Sequence, residues 1–401
     1  LKGSGDLPDT LTMRWLVGGV MLIVIAGGAI VAFRRRGPLI APHREHRFIP
    51  WSGLELALSL FIYVAFQSLP LMVLQKFGLI KEADHATSIT GHTLYKLVWA
   101  SVLIGPWTVP AILLFLWARS QTKPRHVGLT KWRWRESLAL GYASFAVVAP
   151  MVYGVNFLAY QVVRWTGSHV QPHPLQRLVE SGVSPLAIAL TAFQAAVLAP
   201  IVEEFVFRGV MLPWLSQRYW GGWLAMVGGI AIGLGNLSYD GAQWNWTPLG
   251  FVVCVSALGY LFTRGPGRVQ WNRRAIVGTA ILFAMLHVNV WPQPVPLLVL
   301  GLGLGWCAYR SRSLIAPITL HALFNGTSML LMLLGVQGTL APKNRPQEQP
   351  SNVTETEAWT PPQRLGHSMS EPQAQSPDSD DHGGDKPARS PAPGGTNSPM
   401  K

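Results

Sequence analysis

The chain has little charge, few acidic residues and almost no cysteine. Only 13% of its 401 residues are charged, and 19 Asp and Glu stand against 32 Lys and Arg. Its two cysteines, Cys254 and Cys307, both lie in apolar stretches, where cysteine behaves as a small hydrophobe. A disulfide framework and a thiolate metal site are thereby excluded. No Gly-x-Ser-x-Gly and no His-Glu-x-x-His occurs, which removes two common hydrolase signatures. No internal repeat is visible either, which weighs against a transporter.

What the chain does have is apolar length. It is 49% hydrophobic, with several runs of about twenty residues, long enough to span a bilayer as helices. The expected fold class is all-α, a polytopic transmembrane bundle of about ten spans (9–11). The spans are read at 15–33, 51–74, 97–117, 138–163, from 185 onward, 223–237, 249–262, 275–290, a ninth ending at Tyr309, and 313–334. Residues 15–33 are too long and too basic at their end for a cleaved signal peptide and are taken as a retained span. The organisation expected is a lead at 1–14, N-terminal helices over 15–183, a catalytic membrane region over 184–336 and a disordered Pro- and Ser-rich tail over 337–401.

The net charge of +13 does not point to nucleic acid. Basic residues sit in short clusters between apolar runs: Arg34 to Arg36 with Arg44 and Arg47, then Lys123 to Arg133, then Arg264 to Arg274, then Arg310 and Arg312. These alternate with the spans as cytoplasmic loops do, so the expected site is the cell membrane and the expected partners are lipid and a membrane-anchored protein or peptide.

Inside the apolar run that begins near Pro185, Glu203 and Glu204 stand next to each other with Arg208 close behind. An unpaired charge there costs several kcal/mol. Glu204 and Arg208 are four apart on one helical face and can pair, whereas Glu203 points about 100° away. Glu203 must therefore meet a different partner or hold a proton. Pro200 is expected to kink this helix. Glu55, near the end of the second span, is expected to reach the interface.

Two further polar sets lie in apolar stretches: Phe283 with His287, and His321 with Asn325, each pair one helical turn apart. Counting from the basic ends at about 1.5 Å per residue, Glu203 lies ~22 Å in, His287 ~20 Å, His321 ~14 Å and Asn325 ~20 Å, one layer near mid-membrane. A carboxylate, two histidines and an amide at one depth suit water-dependent hydrolysis. In that chemistry Glu203 is the base, His287 orients the water or protonates the leaving amine, and His321 with Asn325 lines an oxyanion hole. No cofactor is required, but Glu203, His287 and His321 also suit Zn²⁺ with one open position.

In order, Glu203-Glu204 with Arg208, Phe283 with His287, and His321 with Asn325 match Glu-Glu-x-x-x-Arg, Phe-x-x-x-His and His-x-x-x-Asn. In this the sequence resembles the CAAX prenyl protease and bacteriocin-processing family of intramembrane glutamate proteases, relatives of the type II CAAX endopeptidase. The resemblance covers about residues 186–334 and implies a helical bundle whose catalytic cavity opens to the cytosolic leaflet. It also implies that Glu203 and His287 activate water and that His321 and Asn325 stabilise the oxyanion. The interval from Arg208 to Phe283 is longer than the family pattern leads one to expect. The competing class is a non-catalytic membrane scaffold or immunity-type protein in which the same side chains only lock helices together.

Overall fold

In lipid every backbone N–H and C=O must find a partner inside the protein, and the chain meets that demand with helices. A computed structural model describes residues 48–79, 91–130, 133–165, 184–236, 238–239, 244–245, 247–264 and 267–333. All of them belong to one unit, Leu1–Asn344. The span expected at 15–33 and the tail expected over 337–401 lie outside the described residues.

Helix α1 is Gly53–Lys76. Helix α2, Gly91–Ile104, continues through a single 3-10 turn, Gly105–Trp107, into α3, Thr108–Ser120. Next come α4, Trp134–Trp165, and α5, Pro185–Ser216. Helices α6, Gly221–Gly235, and α7, Thr247–Phe262, flank a two-residue antiparallel pair, Ser238–Tyr239 with Trp244–Asn245. Helices α8, Gly267–Met285, α9, Pro294–Ser311, and α10, Ile315–Leu333, complete the series. The described protein is thus all-helical apart from that short pair.

Five stretches are long and apolar enough to cross a membrane: α1, Lys96–Ser120, α4, α5 and α10. Helix α6 and most of α7 are shorter apolar helices. Helix α8 carries Arg268, Arg273 and Arg274 in its first half, which lowers its apolar content.

Helix α5 sits at the centre, and residues 205–211 are buried without exception. A helical stretch buried on all sides has neighbours on all sides, here α1, α3 and α8 through Leu56, Ile112, Leu116 and Phe283. The expected kink at Pro200 takes a specific form. Residues Gln194–Leu198 and Phe205–Met211 are π-helical, and each widened stretch ends two residues before a proline, Pro200 or Pro213. The Ala199 N–H bonds back five residues to the Gln194 carbonyl, and the Leu212 N–H to the Phe207 carbonyl. A proline ring displaces the carbonyl four residues back and offers no N–H, so the preceding turn relaxes to a wider register.

One boundary and one side chain differ from expectation. Helix α8 ends at Met285, not near 290, so His287 stands in the tight turn beyond it. There the His287 N–H bonds three residues back to Ala284, and Val288 to Met285. Glu55 does not reach out to the interface; it is buried and closes a capping box on α1. The Ser52 N–H donates to its carboxylate at 2.6 Å, and the Glu55 N–H donates to Ser52 Oγ at 3.4 Å. Ser52-Gly-Leu-Glu55 is the Ser-x-x-Glu signature of a helix start.

Glycines set how closely the last helices approach. A methyl on Gly301 of α9 would meet the Ala280 Cα of α8 at 3.0 Å, and one on Gly278 would meet the Gly222 carbonyl oxygen of α6 at 2.4 Å. Gly278→Ala should therefore destabilise the protein by about 1–3 kcal/mol, seen as a lower melting temperature in detergent. Gly154→Ala in α4, whose added methyl meets nothing within 4 Å, should leave it unchanged or slightly raised.

Candidate active site

Glu204 has no exposed side-chain surface, and neither has Arg208. The Arg208 guanidinium donates through Nη1 to Glu204 Oε1 at 2.9 Å, as four-residue spacing requires. Its Nη2 also reaches the Gly301 carbonyl at 3.4 Å, which the close approach of α9 makes accessible. Glu204 Oε2 and Arg208 Nε have no hydrogen-bond partner among the described residues, so the pair is monodentate. A buried polar atom left in this state costs about 1–3 kcal/mol, an expense that stability alone does not explain.

His321 of α10, 3% exposed in its side chain, lies across the same carboxylate. Its Nδ1 is 2.9 Å from Glu204 Oε1. A carboxylate paired with arginine only accepts, so the ring nitrogen donates and a neutral ring carries its lone pair on Nε2. That Nε2 faces Glu203 Oε2 at 3.9 Å. The two glutamates are thus separated as the helical angle requires: Glu204 is held by Arg208 and His321, while Glu203 keeps 19% of its side chain exposed.

His287 lies beyond the end of α8, where the last carbonyls lack helical partners. Its Nδ1 is 3.0 Å from the Phe283 carbonyl and caps it, again leaving Nε2 as the acceptor of a neutral ring. The Phe-x-x-x-His spacing therefore has a local cause: it is the reach of a ring back to the carbonyl four residues earlier.

The Phe283 ring is the hub that connects all three motifs. The Arg208 guanidinium stands 4.7 Å from its centroid, His287 packs at 5.2 Å, and His321 meets it edge-on at 5.7 Å. Phe207 closes a further side, edge-on at 5.6 Å. A cation over an aromatic face is worth about 2 kcal/mol when desolvated, so the ring helps to offset the burial of Arg208. From the sequence Phe283 was only a spacing marker; its place among the other motifs comes from packing between helices.

Asn325 departs most from expectation. Its Nδ2 donates to the Ala195 carbonyl at 2.8 Å, inside the first π-helical stretch of α5. One amide N–H thus ties α10 to a carbonyl in the widened turn, and only the second is free for an oxyanion. Among the described residues no three His, Cys, Asp or Glu side chains are grouped so as to hold a metal ion.

The family model for type II CAAX prenyl endopeptidases, Rce1-like, matches two overlapping stretches, residues 185–269 and 257–327. They contain all three motifs and the long interval between the first two, and they agree with the family resemblance carried by the motifs. No curated protein and no solved structure matches the chain. The matched family is one of proteases, and the chain is a multi-pass integral membrane protein.

Because breaking a buried ion pair leaves a bare charge, Arg208→Met should destabilise the fold by about 3–5 kcal/mol. Glu203→Gln, at a partly open position, should change stability by less than about 1 kcal/mol. Thermal unfolding in detergent distinguishes the two.

Proposed function

We propose that this protein is an intramembrane endopeptidase that hydrolyses a peptide bond of a membrane-anchored, prenyl-type substrate near the cytosolic leaflet, with Glu203 as the base that activates water. The observation that carries this reading is the division of the carboxylates. Glu204 is immobilised by Arg208 and His321, and Glu203 is left partly open opposite His321 Nε2. The match to a protease family supports it. In the same reading the chain makes about ten spans in the cell membrane, with its basic clusters on the cytosolic side.

The chemistry follows from the distances. The 3.9 Å between Glu203 Oε2 and His321 Nε2 is too long for a direct hydrogen bond but lets both atoms contact one water. Both are acceptors when His321 is neutral, so each takes one hydrogen of that water and its oxygen lone pair is turned toward the substrate carbonyl. As the new C–O bond forms, Glu203 takes the proton. The carbonyl oxygen then becomes an oxyanion. We assign its stabilisation to the second amide N–H of Asn325, and His321 can add a donor only as an imidazolium. The C–N bond breaks as the leaving amine receives the proton that Glu203 took from the water, and we assign its relay to His287, which picks it up on Nε2 and passes it on. Removing a single oxyanion donor typically slows such reactions by about a hundredfold or more.

Zn²⁺ held by Glu203, His287 and His321 is the second reading of the same residues. It requires the three to converge more closely than they do in this structure. A chelator should leave cleavage by the purified protein unchanged if Glu203 acts directly, and should abolish it if zinc does.

The decisive substitution is Glu203→Ala. It should lower cleavage of a prenylated CAAX-type peptide by about a hundredfold or more, and an uncleaved membrane-anchored protein should accumulate in its membranes. Full cleavage by that variant would end the proposal. A scaffold would instead lose function only in proportion to its loss of melting temperature.

A further inference from the structure

Helix α1 precedes the family-matched residues and packs against the π-helical part of α5. Tyr63 lies on this helix, half-buried. Its ring meets Phe207 edge-on, 6.3 Å between centroids and 84° between planes. Phe207 follows Glu203 by four residues, so the two lie along the same side of α5. The Tyr63 phenol therefore stands beside the face on which Glu203 opens, close enough for the Glu203 charge to act on it. His321 approaches Glu203 through Oε2, and Arg208 is bonded to Glu204. A donor for Glu203 is thus wanted on the α1 side, and a phenol in a membrane helix, apolar in body and polar at its tip, is suited to supply one.

We propose that Tyr63 is a positioning residue: its hydroxyl donates to the Glu203 carboxylate through one water and fixes the direction in which that carboxylate meets the reacting water. The inference rests on Glu203 being the base. It adds a contribution from the N-terminal helices to a site whose motifs all lie in α5, α10 and the α8 region. The ring also covers Phe207, so a role confined to packing is the competing explanation.

Tyr63→Phe separates the two, because it keeps the ring against Phe207 and removes only the O–H. With purified protein and a prenylated CAAX-type peptide, kcat should fall about tenfold or more, the effect of losing a hydrogen bond to a charged group. KM should stay within about twofold and the melting temperature should not move, since the transition state and not the fold or ground-state binding loses support. A kcat within about twofold of the parent overturns the proposal. So does a fall in kcat accompanied by a matching fall in melting temperature.

Two controls keep this result distinct from failure of the base assignment. Glu203→Gln is assayed alongside: if it cleaves normally, the base reading falls by itself. A fluorotyrosine placed at position 63 is then followed by fluorine NMR, which needs no turnover. Its resonance should shift between the parent and Glu203→Gln, and an unmoved resonance overturns the contact whatever the activity shows.

Discussion

One oxygen, Glu204 Oε1, accepts from Arg208 on its own helix and from His321 on α10, each at 2.9 Å. Both donors and the carboxylate are almost wholly buried, so none can be removed without leaving another uncompensated. That shared acceptor fixes α10 against α5, and the Phe283 ring under Arg208 fixes α8 to the same point. Gly301 lets α9 come near enough for its carbonyl to complete the arginine's surroundings. The consequence for Glu203 is freedom: its neighbour has taken the arginine, and His321, which gives Nδ1 to Glu204, keeps its Nε2 3.9 Å away.

The irregular backbone lies where this arrangement needs it. The two π-helical stretches of α5 enclose the short helical segment Ala199–Glu204 that carries both glutamates. Each is placed by a following proline, and the first also presents the Ala195 carbonyl to Asn325. The loosened end of α8 frees the Phe283 carbonyl for the His287 ring, which fixes that ring's orientation without a charged partner. Non-helical backbone at membrane depth persists where protein surrounds it, and here both departures border the same cluster of side chains.

Much of this was legible from local periodicity. The Glu204–Arg208 pair and the outward turn of Glu203 follow from four-residue spacing alone, whereas the depth counted for His287 assumed a helix that in fact ends at Met285. The all-helical class follows from apolar run length. What was not legible depends on contacts between helices, which have no signature in sequence spacing. His321 spends Nδ1 on Glu204, and Asn325 spends one N–H on the Ala195 carbonyl in the widened turn of α5. The capping role of Glu55 was readable in Ser52-Gly-Leu-Glu55 and was overlooked because an acidic residue near a span end usually points to water. Tyr63 had no signal: an aromatic residue in an apolar helix looks like any other.

The central claim is that water, activated by a carboxylate that never bonds to the substrate, supplies the new oxygen. A single turnover in water enriched in heavy oxygen tests it most directly, with the released carboxyl product and the Glu203-containing peptide both weighed by mass spectrometry. The label should appear once in the product carboxylate and not in Glu203. Unlabelled product with heavy oxygen in the Glu203 side chain would mean that the glutamate attacks the carbonyl itself, and would contradict its assignment as a base.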